Sequence, residues 1–212
     1  MMGDMNRFET QLRALWLAIC LLLLVGFQQT ATAASTEAKA TINSFHETLL
    51  KVMQAGDGMG YEDRYETLRP VIANNFDTPL IAKVVLGRYW NELNNEQRQQ
   101  FINIFEKLSV STYASRFNDY AGESFEYLDT KSLNKERVLV QTQLTKSDKE
   151  TVSFDYLMHQ RDGKWYIMSV VAQGVNDLSL KRAEYTSIME NKGYDGLMTE
   201  LRNKIAALKP QQ

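Results

Sequence analysis

The sequence predicts an α+β fold in which helices come first, a four-stranded antiparallel meander follows, and helices end the chain. Apolar residues recur at helical spacing before residue 120 and again after residue 177. Between them, residues 124–171 read as four strands separated by short polar turns. No linker rich in Pro, Gly or Ser divides these parts, so helices and sheet are expected to share one domain.

The N-terminus forms a separate segment. Arg7 and Arg13 precede the apolar run Ala14–Phe27, and an A-x-A sequence ends at Ala33. This pattern is typical of a cleaved secretory signal peptide, and the run is shorter than the ~20 residues of a membrane-spanning helix. We therefore expect residues 1–33 to be removed near Ala33 and residues 34–212 to form a single exported domain without a membrane anchor. A retained anchor is the alternative.

Composition excludes several classes of function. A net charge of −2 gives no electrostatic basis for nucleic-acid binding. The only cysteine, Cys20, lies in the predicted signal peptide, which excludes disulfides and thiol chemistry from the mature chain. His46 and His159 have no metal-binding spacing, and no nucleophile-elbow or calcium-loop motif occurs. We expect neither a metal nor a cofactor.

Three helices are predicted in the first part of the mature chain. The first covers about residues 37–55 and ends at Gly56–Gly60, which is interpreted as a loop because the Lys-Ser/Thr of a phosphate loop is missing. In the third, Thr78 is the predicted N-cap, Pro79 the first helical residue and Gly87 the end. The second helix carries its apolar side chains at Tyr65, Leu68 and Ile72.

A long fourth helix is predicted to begin at Asn94, where Gln97 completes a capping box. Its main apolar stripe consists of Phe101, Ile104, Phe105, Leu108 and Thr112. A second set of aromatic residues falls on a different face: Tyr113, Phe117 and Tyr120. This helix is therefore expected either to bend or to contact two partners.

The predicted strands are Ser124–Leu128, Arg137–Leu144, Thr151–Gln160 and Lys164–Val171. Asp162-Gly163 predicts a tight hairpin between the last two strands. These two strands carry apolar residues on both faces, so either both faces are covered or one face lines a cavity. Two helices are predicted to follow, at Leu178–Asn191 and Tyr194–Leu208.

One acidic residue is a candidate for catalysis. Asp155 lies between Phe154 and Tyr156, and His159 is on the same strand face. A carboxyl group buried inside a small α+β cone could act on an apolar substrate, because burial raises the pKa of an acid. A solvated strand face explains the same residues.

Two cations adjoin an apolar stripe on the helix that follows the sheet. On a helical wheel, Lys181 and Arg182 fall beside Leu178, Tyr185 and Ile188. Their stems could pack on apolar neighbours while the charges reach water. They could also form a cationic rim around a cavity for an amphiphile with a polar head.

Several motifs together resemble the toluene-tolerance or MlaC family. They are Phe76-Asp77, Gly87-Arg88-Tyr89-Trp90, Glu96-Gln97-Arg98 and Thr112-Tyr113-Ala114, with Gly163-Lys164-Trp165 opening a later signature. The segment Lys181–Tyr185 keeps only the Arg-x-x-aromatic part of the family's usual motif. With "GYEDRYETLRPVI" and "ASRFNDYAGESFE", it is more similar to the hopanoid-associated HpnM branch.

The resemblance implies a periplasmic, non-catalytic carrier that shuttles a hopanoid or a phospholipid between inner and outer membranes. It implies a cone like those of NTF2 and cystatin around an apolar lipid pocket, and transient docking to membrane transport proteins. A structural adaptor without a cavity is a further alternative. The pocket is expected to be lined by Phe76, Leu80, Val84, Tyr89, Trp90, Phe101, Phe105, Tyr113, Phe117, Tyr156, Met158, Trp165, Ile167, Val171, Tyr185, Ile188 and Met189, with Arg116, Lys181 and Arg182 at its rim.

Overall fold

The computed structural model describes residues 35–134 and 136–210. The predicted signal peptide and its cleavage site lie outside these residues. The helices are α1 at residues 35–55, α2 at Tyr61–Asn75, α3 at Thr78–Leu86, α4 at Asn95–Arg116 and α5 at Asp177–Leu208. Short 3₁₀ helices occupy Gly56–Gly58 and Gly87–Glu92. The strands are β1 at Ser124–Asn134, β2 at Arg137–Thr145, β3 at Thr151–Arg161, β4 at Lys164–Ala172 and β5 at Val175–Asn176.

The strands form an antiparallel sheet in the order β1-β2-β3-β4-β5. The predicted meander is confirmed, but a short fifth strand extends it. β1 also continues to Asn134 instead of ending at Leu128. Its register shifts around Leu128 and Leu133, and both side chains are exposed. The second half of β1 buries neither of its faces, so its sequence lacks the alternating apolar pattern of a half-buried strand. It is a strand because it pairs with β2.

The turn between β3 and β4 is built as the sequence predicts. Asp162 and Gly163 both have positive φ angles, 53° and 76°. Such a pair gives the primed turn whose twist matches a β-hairpin. At the end of β4, Gln173 and Gly174 repeat the arrangement with φ angles of 50° and 77° and lead into β5.

The start of α3 corrects one prediction. Asp77, not Thr78, is the N-cap, since its carboxylate accepts a hydrogen bond from the backbone N–H of Leu80 at 3.2 Å. Thr78 is the first helical residue and Pro79 follows it. Asp competes well with Thr as a cap, and Pro is tolerated anywhere in the first turn because that turn has free N–H groups.

The end of α3 and the start of α4 follow the predictions. Gly87 is the C-cap of α3 with a φ of 55°. Asn94 and Gln97 form the predicted capping box, with distances of 2.8 and 3.0 Å between their reciprocal side-chain and backbone atoms.

The last helix is continuous except at Gly193, where the sequence predicts a gap between two helices. Gly193 has φ 66° and ψ −171°, which breaks α5 into two segments. This conformation is accessible almost only to glycine. The two segments stay together because both pack on α3 and α4 through Tyr185, Met189, Leu197, Met198 and Leu201.

Helix α4 contacts two separate apolar cores, as its two aromatic faces predict. Phe76 packs against both cores. Tyr120, predicted on the second face, lies after the helix and is exposed. Core 1 lies between the sheet and α1, α2 and the second half of α4, and consists of Ala38, Ile42, Phe45, Leu49, Val52, Tyr61, Leu68, Ile72, Val110, Ala114, Val138, Val140, Tyr156, Met158, Trp165 and Ile167. Core 2 lies among the helices and consists of Ile81, Ala82, Val85, Leu86, Tyr89, Leu93, Phe101, Ile104, Phe105, Leu108, Tyr185, Met189, Leu197, Met198 and Leu201.

None of the helices in the described ranges has the length and apolar character that a membrane-spanning segment needs.

Candidate functional site

The seventeen residues predicted to line a pocket do not gather in one cluster. One group belongs to core 1 or packs against it: Phe76, Tyr113, Phe117, Tyr156, Met158, Trp165 and Ile167. Another belongs to core 2 or packs against it: Tyr89, Trp90, Phe101, Phe105, Tyr185, Ile188 and Met189. Leu80, Val84 and Val171 are half-buried outside both clusters. That all of them face one ligand stays a prediction.

The aromatic residues at one end of core 1 are in direct contact. The ring of Phe45 meets those of Phe76 and Tyr113 edge-on, with centroids 5.5 and 5.4 Å apart. Tyr113 stacks on Phe117 at 5.6 Å. Tyr113 and Phe117 come from the C-terminal end of α4 and are only partly buried. Core 1 therefore reaches the surface through aromatic side chains at this end.

A polar pair lies under these rings. Nε2 of His46 on α1 is 2.8 Å from the hydroxyl of Tyr156 on β3, and both residues are buried. The imidazole also stacks on Phe125, with centroids 3.8 Å apart. Burial lowers the pKa of His46 from 6.5 to about 3, so the ring is neutral. Burial, with a smaller contribution from Tyr113, raises the pKa of Tyr156.

The sequence shows only that His46 has no metal-binding spacing, and the structure makes it the partner of Tyr156, a predicted pocket residue. The two residues are 110 positions apart, so local patterns give no signal for the pair.

The three residues of the predicted cationic rim do not all lie together. Lys181 forms an ion pair with Asp177 at the start of α5. Arg116 is exposed at the end of α4, close enough to Tyr113 to affect its hydroxyl. Burial raises the pKa of Tyr113, the Asp177 carboxylate raises it further, and Arg116 lowers it. Arg116 and Asp177, the partner of Lys181, therefore lie near Tyr113 at the aromatic end of core 1.

Arg182 packs against the end of α3. Its guanidinium lies over Gly87 at the end of α3, 3.3 Å from the position that a Cβ would occupy there. Glu184, one turn of α5 after Lys181, pairs with Lys204.

A second polar network, which the sequence does not predict, is centred on Asp77, the residue that follows Phe76. Asp77 is 1% exposed, and its Oδ2 lies 2.8 Å from Nε2 of His159 and 2.5 Å from Nη1 of Arg161. Its backbone N–H donates to the carbonyl of Ile167 at 3.0 Å. Asp77 therefore joins α3 to β3 and β4. The Phe-Asp motif is the signal that marks this position, although it does not name the partners.

A polar cleft of about 310 Å³ adjoins this network. Of the predicted pocket residues, only Phe76 lines it. Its walls come from the end of α2, the start of α3, α4 and the β3–β4 hairpin, and they include Asn74, Thr78, Gln99, Asn103, Glu106, Arg161 and Lys164. Such a lining does not suit an acyl chain, because the polar groups would lose water without gaining partners.

Asp155, the candidate catalytic acid, lies on the sheet face opposite Tyr156 and Met158. It is half-buried, and its carboxylate accepts a hydrogen bond from Nε2 of Gln141 at 3.3 Å. His159 points to Asp77 instead. No acid–base pair forms around Asp155 among the described residues. Within the same ranges, no cluster of His, Cys, Asp and Glu could hold a metal ion.

Comparison with known proteins gives consistent matches. The protein-family model described as MlaC protein matches residues 43–203. The intermembrane phospholipid transport system binding protein MlaC of Haemophilus influenzae is 22% identical over 196 residues, which are 88% of this chain and 91% of that protein. The toluene tolerance protein ttg2D of Pseudomonas putida is 22% identical over 132 residues, which are 62% and 61% of the two chains.

A solved structure has the same fold. The phospholipid-binding protein from Ralstonia solanacearum, determined in complex with a phospholipid, superposes with a TM-score of 0.72 at 20% identity. The match covers 81% of this chain and 98% of that one.

Proposed function

Because the chain belongs to the MlaC protein family, whose members bind and transport without catalysis, we propose that it is a periplasmic carrier that moves a phospholipid between membranes. The lipid-binding relatives named above support this function. The single structural observation that carries it is the aromatic end of core 1, where apolar side chains between sheet and helices reach the surface beside charged residues.

A lipid needs such a carrier because exposing its acyl chains to water is unfavourable. Each CH₂ group removed from water contributes about 0.8 kcal/mol, so an unshielded two-chain lipid does not cross an aqueous compartment at a useful rate. The carrier has to supply an apolar site and a way into it. It needs no acid, base or nucleophile.

We place the lipid chains within core 1. Since its aromatic side chains touch one another, a chain can enter only if the sheet separates from α1 and α4. Van der Waals contacts between Phe45, Tyr113 and Phe117 would then be exchanged for contacts with the chain. Core 2 packs α3, α4 and α5 on one another and would keep its structure during loading.

Two details of the cargo and its route remain parts of this proposal. The similarity to the hopanoid-associated branch rests on the stretches quoted above, and a hopanoid would need the same apolar site. Exchange at each membrane would require transient docking to transport proteins there. The signal-peptide pattern supports export to the periplasm.

The test is to express the full chain, recover it from the periplasm and analyse it by native mass spectrometry and lipid extraction. The expected result is one bound phospholipid, and an N-terminus near Ala34. An extracted hopanoid would keep the carrier and change the cargo. A protein that stays empty, and takes no lipid from phosphatidylglycerol vesicles, would overturn the proposal.

A further inference from the structure

Three polar side chains meet around one ring at the aromatic end of core 1. Tyr113 on α4 and Tyr156 on β3 both pack edge-on against Phe45, with centroid distances of 5.4 and 6.3 Å and interplanar angles of 80° and 86°. His46 is the neighbour of Phe45 on α1 and contacts Tyr156 through Nε2. Three elements thus bring an imidazole and two phenols together in an apolar region.

These groups run from the surface inward. Arg116 and Asp177 are at the surface, Tyr113 is half-buried, and Tyr156 and His46 are 2% and 4% exposed. Apolar and aromatic side chains surround the inner part, among them Phe125 and Phe154. The order from outside to inside is therefore charge, hydroxyl groups and hydrocarbon.

The Tyr113 hydroxyl is available as a donor, and the Tyr156 hydroxyl is available in one of the two neutral tautomers of His46. When Nε2 of the neutral His46 carries the ring proton, it donates to the oxygen of Tyr156, and the phenol hydrogen of Tyr156 remains free. Among the described residues, the Tyr113 hydroxyl makes no hydrogen bond. A free O–H group at the edge of an apolar core gains a partner when an acceptor oxygen arrives, so an incoming acceptor oxygen would be favoured here.

We propose that the hydroxyls of Tyr113 and Tyr156, the latter oriented by His46, donate hydrogen bonds to the ester oxygens of a diacyl glycerophospholipid. In such a lipid the ester groups lie between the charged headgroup and the acyl chains, which is the order of the side chains here. Ester carbonyls only accept hydrogen bonds, and the phenols can donate them. This inference rests on the proposed function and names the ester groups as the part of the phospholipid that the protein recognises.

The experiment compares two phosphatidylglycerols of equal chain length, one with ester-linked and one with ether-linked chains. The ether lipid lacks both carbonyl oxygens. Mature wild-type protein is expected to bind the ester lipid about threefold to tenfold more tightly, the effect of one or two hydrogen bonds. The preference should fall in Tyr156→Phe and disappear in the Tyr113→Phe, Tyr156→Phe double variant. Affinity for the ether lipid should hardly change.

Tyr127→Phe is the matched control. Tyr127 also packs against core 1, but its hydroxyl bonds Thr130 on the same strand at 3.1 Å. This variant should keep the wild-type preference. Equal binding of both lipids by wild type, or an equal loss of both in the double variant, would overturn the inference and leave the carrier function intact. Failure of wild type to bind either lipid would instead overturn the carrier function itself.

Discussion

The carboxylate of Asp77, at the start of α3, lies 2.8 Å from Nε2 of His159 on β3, a residue 82 positions later in the sequence. Arg161 contacts the same oxygen, and the backbone of Asp77 bonds that of Ile167. One buried acid thus caps α3 and fixes it to the sheet. If the sheet separates from α1 and α4 during loading, this contact would keep α3 attached to the sheet.

Replacing Asp77 by Ala is expected to lower the free energy of unfolding by about 3 kcal/mol, because α3 loses its cap and two side chains lose their acceptor. Asp77→Asn keeps a capping oxygen and should lose less. Urea unfolding followed by tryptophan fluorescence measures the difference. The control is Glu66→Ala, which breaks an exposed pair with Arg69 and should change stability by less than about 1 kcal/mol. Equal effects of the two alanine variants would show that the Asp77 network does not anchor α3.

Stability should depend on pH through His46. Its pKa is about 3 in the folded chain and 6.5 without burial, so between these values the unfolded chain binds a proton that the folded chain does not. Stability therefore falls as the pH falls through this window, by at most about 1.4 kcal/mol per pH unit from this group. His46→Gln should have a shallower dependence between about pH 7 and pH 5 in urea unfolding. Identical slopes for the two proteins would contradict the burial of a neutral imidazole.

Gly193 should be intolerant of a side chain. Its φ of 66° and ψ of −171° are strained for any other residue, so Gly193→Ala is expected to cost about 1–3 kcal/mol or to straighten α5 and disturb core 2. Gly58→Ala is the matched control, since a Cβ there meets nothing within 4 Å and no positive φ is needed. Thermal unfolding of both variants tests this. A Gly193→Ala protein as stable as the control would mean that α5 does not need the break.

A charge in core 1 should block loading, and a charge at the edge of core 2 should not. Trp165 and Phe105 are 1% and 4% exposed, so charging either would unfold the protein. The partly buried Phe154 beside core 1 and Ile188 beside core 2 are better positions. Phe154→Asp is expected to reduce phosphatidylglycerol uptake from vesicles by at least about tenfold, a change of 1.4 kcal/mol, while Ile188→Asp keeps it.

Circular dichroism confirms that both variants fold before uptake is compared. Loss of uptake in Ile188→Asp alone would move the lipid site to core 2. Equal loss of uptake in both variants would favour the single pocket predicted from the sequence, which is lined by residues of both cores.

Local patterns were sufficient for most of the secondary structure. The capping box at Asn94, the turn at Asp162-Gly163 and the end of α3 at Gly87 depend on residues within four positions of one another. The two aromatic faces of α4 also follow from spacing alone, because helical geometry fixes which side chains share a face. Where local signals competed, as at Asp77 and Thr78, the prediction chose the wrong cap.

The sequence by itself determined the α+β order of elements, the family, and a set of apolar residues with few candidates for catalysis. Only the tertiary structure divided that set into two cores and paired Asp77 with His159 and His46 with Tyr156. These contacts join residues 82 and 110 positions apart, on elements whose relative placement depends on how whole faces pack. The residues near a side chain in sequence decide which face of its helix or strand it lies on. The residues that pack against that face come from a different part of the chain.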